Sequence, residues 1–191
     1  MISVDKIKNA EKAADYYGRL DDYYREHGQA PAEIAGKGAE FLGIAGAVTD
    51  SRDDAARVKA FGEVLAGRIN GVQVGDAANR VAGWDMTIQA PKSFSIAAAH
   101  DPRLRDVFDA AERRVFSHLE KHGIQTRQRN GAGGYEWHQA DVVAMCARHT
   151  TNRNQDEHWH SHIAMASAVH DRVTGDWRSL DARELYAIRN E

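Results

Sequence analysis

Cysteine is almost missing: Cys146 stands alone among 191 residues. A disulfide framework is therefore excluded, and a reduced compartment is the natural home. Proline is scarce, with 3 in the chain, and the 16 glycines follow no period, so collagen-like and Pro-rich disordered classes fall away. No apolar run approaches the roughly 18 to 20 residues of a membrane span, and the opening MISVDKIKNAEK carries no signal-peptide core. Neither sign of charge dominates. The 25 Lys/Arg against 28 Asp/Glu leave −3, not the basic excess usual in a non-specific nucleic-acid binder. Residues 103–129 hold a local excess of three positive charges, which a solvated helix face explains as well as a nucleic-acid path does. The length suits one domain and suffices to bury a core without a metal or disulfide to hold it.

Periodicity supplies the elements. Ile7, Ala10, Ala14 and Tyr17 recur at helical spacing and predict a helix over 5–25. A second helix is expected over 53–66, with Ala56, Phe61 and Leu65 inward, and a loop over the glycine- and asparagine-containing 67–83. Residues 84–90 alternate as a strand, Trp84, Met86 and Ile88 on one face and Asp85, Thr87 and Gln89 on the other, until Pro91 ends it. A short helix over 92–100 follows. Asp101-Pro102 then reads as an N-cap with proline at the first helical position. Leu104, Val107, Phe108, Ala111, Val115 and Leu119 form the stripe of that helix, and Gly123 stops it. Residues 124–129 and 135–139 suit a hairpin across Asn130-Gly131, and strands are expected over 141–149 and 158–170. The pattern is α+β, a central antiparallel sheet with helices on one side.

Chemistry concentrates in two residue types. Of 10 histidines, His149, His158, His160 and His162 lie within fourteen positions. The strand period of two puts His158, His160 and His162 on one face, continued by Ala164, Ala166 and Ala168, small residues that leave room above the sheet. His149 shares its strand face with Ala147, Met145 and Val143. If the two strands are neighbours, three imidazoles converge, and neutral imidazoles bind a divalent cation while leaving positions open for substrate oxygens. The plain alternatives are surface histidines on a wet sheet or a structural metal. A structural zinc usually takes four protein ligands, and Cys146 points to the face opposite His149, into the core. Tyrosine is the second anomaly: four of the 6 are Tyr16, Tyr17, Tyr23 and Tyr24. Seven helical residues make almost two turns, so Tyr16 lies over Tyr23 and Tyr17 over Tyr24. One of each pair suits packing and the other display. A tyrosine hydroxyl can attack phosphorus beside a cation that polarises a phosphate oxygen, and phosphoryl transfer unites the two anomalies.

The chain resembles the relaxase domain of TrwC/TraI-type conjugative relaxases, the MobF class of HUH endonucleases. The likeness rests on Tyr16-Tyr17 and Tyr23-Tyr24, Gly36-Lys37-Gly38-Ala39-Glu40, Asp85-Met86-Thr87 with Ala90-Pro91-Lys92-Ser93, and His149 followed by His160-Ser161-His162. It covers essentially the whole chain. The resemblance implies an α+β palm and a metal-dependent, strand-specific nickase of single-stranded DNA at a plasmid transfer origin, acting through a 5′-phosphotyrosine. It implies His149, His160 and His162 as metal ligands, Tyr16 as nicking nucleophile, Tyr23 as candidate for a second transfer, and Asp85 as the carboxylate beside the ligand imidazole. Mg²⁺ or Mn²⁺ is the expected ion, with Zn²⁺ or Ni²⁺ able to occupy the site. The expected partners are oriT DNA, other relaxosome components and type IV secretion coupling proteins, for a monomer in the bacterial cytoplasm. Residues 1–191 are expected to form a relaxase domain that stops short of the family's C-terminal DNA-clamping helices and carries no helicase domain. Two departures stand out: Glu157-His158-Trp159 stands where the family more often has a Pro-Gln-Leu type stretch, making His158 an extra imidazole, and the sequence ends at Glu191, shortly after Trp177-Arg178-Ser179-Leu180.

The alternatives are a replication initiator or transposase-type HUH nuclease, a cupin-type three-histidine oxygenase, or a non-catalytic single-strand-binding module with a structural metal. The tyrosines precede the histidine pair, which favours the relaxase over its HUH relatives. The helical stripe over 102–122 opposes an all-β cupin.

Overall fold

A computed structural model describes residues 1–13, 16, 31–49, 52–131, 133–152 and 154–189. Strand β1 (Ile2–Ile7) is followed by residues 10–13 in helical conformation, and Tyr16 is helical as well. Next come β2 (Glu33–Ala35), α1 (Lys37–Phe41), β3 (Gly46–Ala47), α2 (Arg52–Leu65) and the small hairpin β4 (Arg68–Ile69) and β5 (Val72–Gln73). Strand β6 (Gly83–Gln89) leads into α3 (Lys92–His100) and α4 (Arg103–His118), which ends in a π-helical turn over Leu119–Gly123. The rest is β7 (Gln125–Arg129), β8 (Tyr135–Asp141), β9 (Ala144–Thr151), β10 (Glu157–Ala166), β11 (Ala168–Asp171), β12 (Trp177–Asp181) and α5 (Arg183–Ile188).

The central sheet has six strands in the order β1-β6-β10-β9-β2-β3, every pair antiparallel. Strands β7, β8, β11 and β12 close into a four-stranded ring beyond the end of β10. The α+β class with a central antiparallel sheet is as the sequence pattern led one to expect. The helices, however, cover both faces. Phe61, Val64 and Leu65 of α2 pack on Met145, Ala147, Ala164 and Ala166, while Leu119, Val115 and Phe116 pack against Met86, Ile163 and Met165 on the other side. The reason lies in the strands themselves, which alternate between two sets of small or apolar side chains, so both faces need cover. The room expected above Ala164, Ala166 and Ala168 is filled accordingly. All three are fully buried, and their small size lets α2 approach.

Other boundaries move for local reasons. The helix expected from residue 5 begins only at residue 10, because Ile2 and Val4 alternate with Ser3 and Asp5 and pair along β6. Asn9 caps the helix: its Oδ1 accepts the Lys12 backbone N–H at 2.8 Å and its carbonyl that of Ala13 at 3.1 Å. Asp101 caps α4, accepting the Arg103 N–H at 3.1 Å, and Pro102 already has helical dihedrals. In α2, Phe61 and Leu65 are buried but Ala56 is exposed. In α4, Val107 and Ala111 face solvent, and the inward place is taken by Glu112. The β7–β8 turn runs from Asn130, whose Oδ1 and backbone bind Gly134, and Gly133 adopts φ 83°. Gly36, at φ 102°, lies so close to the Val142 carbonyl oxygen that a Cβ would sit 2.3 Å from it. The Gly36–Glu40 segment is thereby seated against the chain just before β9.

Candidate metal centre

Register brings the histidines together. His160 of β10 lies directly opposite His149 of β9, and His162 lies opposite Thr87 of β6, so strands on both sides of β10 contribute to one face. The ring centroids are 4.9 Å (His149–His160), 5.4 Å (His160–His162) and 5.5 Å (His149–His162) apart. One nitrogen from each ring can be chosen so that all three lie within 4.8 Å of one another. His149 Nδ1 and His160 Nε2 are 3.2 Å apart. That is near the roughly 3.3 Å that separates two ligands of a tetrahedral ion bonded at about 2.0–2.1 Å.

Two of the rings are oriented from behind. Asp85 Oδ2 accepts a hydrogen bond from His162 Nδ1 at 2.8 Å across the β6–β10 diagonal, and Thr87 Oγ1 stands 3.3 Å from the same nitrogen. His160 Nδ1 donates to the His158 carbonyl at 2.8 Å. In each ring this leaves Nε2 with its lone pair turned toward the shared space, the arrangement by which outer hydrogen bonds fix ligand tautomers. Burial sets the charge state. Desolvation, reinforced by the neighbouring imidazoles, lowers the His149 pKa to about 3, and desolvation likewise lowers that of His160 to about 4. Both rings are neutral at pH 7, the form that donates to a metal. The residues present thus fit a divalent cation.

His158 falls outside this group. The β9–β10 register slips by one residue between Glu157 and His160, yet alternation persists: Trp159 enters the core on the far side with Phe108, while His158 stays on the side of His160. The His158 ring stacks on His160 at 4.8 Å and 24°, so its contribution is a stacking surface and a carbonyl acceptor.

A second support lies under the sheet and escaped the sequence reading. Glu112 of α4 is 4% exposed and accepts the Ser161 hydroxyl at 2.8 Å and the Arg148 guanidinium. Ser161 and Arg148 face each other in register, one step from the His160–His149 pair. One carboxylate therefore ties β9 to β10 directly behind the imidazoles. Its only sequence signal was an acid within an otherwise apolar stripe, which reads as a solvated position. Cys146 lies on this rear face, as expected, and burial pushes its thiol pKa up.

The tyrosines are placed in part. Ala13 is buried in the cluster that contains Met145, Ala147 and Ala164, so the capped helix lies on the histidine face. Tyr16, three residues after Ala13 and itself in helical conformation, is 43% exposed. Tyr17, Tyr23 and Tyr24 lie outside the described residues. Trp84 and Trp159 are core residues, each 5% exposed.

Comparison with known proteins bears on this geometry. The family model described as TrwC relaxase matches residues 10–190. The chain is 30% identical over 193 residues to the multifunctional conjugation protein TraI of Escherichia coli, covering 97% of this chain and 10% of that protein. It is similar to the metal-bound structure of the conjugative relaxase TrwC in complex with oriT DNA, at 29% identity and TM-score 0.76, covering all of this chain and 64% of the solved one. A copper-bound TrwC–oriT DNA structure matches at 33% identity and TM-score 0.74, covering all of this chain and 65% of that one. The chain thus spans about a tenth of the length of the curated relatives it matches and just under two thirds of the solved chains. With a family model covering nearly its whole length, the chain belongs to the TrwC relaxase family.

Proposed function

We propose that this chain is the nicking and rejoining domain of a conjugative relaxase, cutting one strand of single-stranded DNA at a transfer origin. The observation that carries the reading is the convergence of His149, His160 and His162, with Asp85 holding His162, on the sheet face crossed by the Tyr16 helix. The three imidazoles would hold one divalent cation, Mg²⁺ or Mn²⁺ in the cell with Zn²⁺ or Ni²⁺ able to occupy the same donors. Bound there, the ion supplies polarisation of a non-bridging phosphate oxygen and offsets charge that grows in the transition state.

The chain's own residues account for the rest. The Tyr16 hydroxyl oxygen forms a bond to phosphorus as the bond to the departing 3′ oxygen breaks, leaving a 5′-phosphotyrosine and a free 3′ hydroxyl. Asp85 is suited to receive the phenolic proton: Oδ2 is engaged by His162, and Oδ1 has no hydrogen-bond partner among the described residues. Because the phosphoester is exchanged rather than hydrolysed, attack by a 3′ hydroxyl reverses the step without another energy source. Tyr23 is assigned the second transfer. The remaining assignments are oriT DNA as substrate, relaxosome and type IV coupling proteins as partners, and a monomeric state in the bacterial cytoplasm.

The test is capture of covalent adducts from a pool of single-stranded oligonucleotides with Mn²⁺, followed by mass spectrometry of the linked peptide. The expected result is linkage at Tyr16, lost in Tyr16→Phe and in EDTA, with DNA binding retained. Adducts undiminished in EDTA, or linked only to a residue away from the histidine face, would refute the reading.

A further inference from the structure

The four-stranded ring turns one set of side chains inward and another outward. Inward, Thr126 Oγ1 donates to the Ser179 carbonyl at 3.0 Å and His138 pairs with the buried Asp171 at 2.9 Å. Ile124, Ala140, Val169 and Leu180 are buried in the core alongside, so the ring does not need further aromatics to be stable. Yet the outer face of β7 and β8 carries Tyr135 and Trp137, 41% and 43% exposed, with ring centroids 6.4 Å apart.

Both rings have a guanidinium against them. Arg127 lies 4.5 Å from the Tyr135 ring centroid, and Arg183, from the start of α5, lies 4.3 Å from that of Trp137. The Arg129 guanidinium, directly opposite Tyr135 in register, and that of Arg127 lower the phenol pKa. Trp137 is anchored as well, its indole N–H donating to Asp181 Oδ2 at 3.2 Å. Asp181 is only 12% exposed and also takes Arg183 at 2.9 Å and Arg127 at 3.9 Å, so it holds both guanidinium groups in place and offsets part of their charge, while Arg129 is paired with no carboxylate among the described residues. What faces solvent is two fixed aromatic rings among three arginines, in a chain whose net charge is −3.

We propose that this outer face of the β7–β8 hairpin is a second nucleic-acid contact, where unpaired bases stack on Tyr135 and Trp137 while Arg127, Arg129 and Arg183 take the flanking phosphates. The ligand class rests on the nicking function proposed above; the surface itself is separate from the histidine site. Strand β8 joins β11 at the His170–Asp141 pair, eight residues beyond His162, and Trp137 and Tyr135 lie four and six residues farther along β8. That route to Trp137 is at most about 40 Å at ~3.3 Å per residue, so a strand of thirty nucleotides, about 100 Å at 3.4 Å per step, is long enough to span the imidazoles and the platform. Acidic protein segments would also favour the arginines. Paired, exposed aromatic rings fit bases better, since every base offers a flat face and needs no pocket.

The test measures binding of fluorescein-labelled dT30 and dT4 by anisotropy in EDTA, with the whole chain, and adduct formation at Tyr16 in parallel. Tyr135→Ala/Trp137→Ala is expected to weaken dT30 binding by about tenfold to a hundredfold and to leave dT4 binding within twofold. Trp137→Phe, which keeps a ring, should retain most of the affinity yet lose the tryptophan quenching that dT30 produces in the unaltered protein. Equal dT30 affinity for the double variant and the unaltered chain would overturn the proposal. So would displacement of a labelled poly-glutamate, and not of dT30, by the same substitutions. Failure of the nicking function reads differently: no Tyr16 adduct forms, while dT30 affinity still follows Trp137.

Discussion

Replacing Glu112 with alanine tests whether the carboxylate behind the imidazoles organises them. The substitution removes the acceptor of the Ser161 hydroxyl and the main partner of Arg148, whose side chain is 32% exposed and keeps, among the described residues, Asp109 at 3.5 Å. Breaking a fully buried ion pair costs about 3–5 kcal/mol. Arg148 can turn partly toward water and retains Asp109, so the expected loss is about 2–3 kcal/mol in urea unfolding followed by far-UV circular dichroism. Glu112→Gln keeps the shape and an acceptor for Ser161 but loses the charge, and should cost about 1–2 kcal/mol. The positional effect appears in calorimetric titration with Mn²⁺, where Glu112→Ala should weaken binding several-fold. Leu180→Ala, which truncates a buried side chain of β12 in the four-stranded ring, should leave the Mn²⁺ affinity unchanged. A Glu112→Ala protein within about 0.5 kcal/mol of the parent, with equal Mn²⁺ affinity, would refute the reasoning.

Two further outcomes follow from the same geometry. Because the folded pKa values of His149 and His160 lie at about 3 and about 4, the unfolded chain binds protons that the native one does not. Stability in EDTA should therefore be complete above about pH 6.5 and fall as the pH drops toward 4, each imidazole adding up to about 1.4 kcal/mol per pH unit. His149→Gln should flatten that slope by about half in urea melts at pH 4.5, 5.5 and 7; an unchanged slope would contradict it. Asp85→Asn leaves His162 Nδ1 without its carboxylate and should lower Mn²⁺ affinity by roughly 10- to 100-fold in the same titration, with little change in unfolding midpoint.

Much of this was legible in the chain itself. Alternation along 84–90 fixed which face Asp85 would share with Thr87. Asp101-Pro102, Gly123 and Asn130 marked their boundaries within a residue or two, because caps and turns answer to local dihedral and hydrogen-bond demands. Glu112 was illegible, since a lone acid on an amphipathic helix becomes a buried anchor only through partners 36 and 49 residues away.

By itself the sequence determined residue types, their periods and hence the candidate histidines and tyrosines. Only the folded chain decided which strands adjoin and in what register, that His149 stands opposite His160, and that His158 stacks beside His160 rather than joining the three converging rings. It also decided that helices shield both sides of the sheet. Side-chain period is a property of neighbouring residues, whereas strand order, register and burial depend on contacts between segments far apart in the chain, which no local pattern encodes.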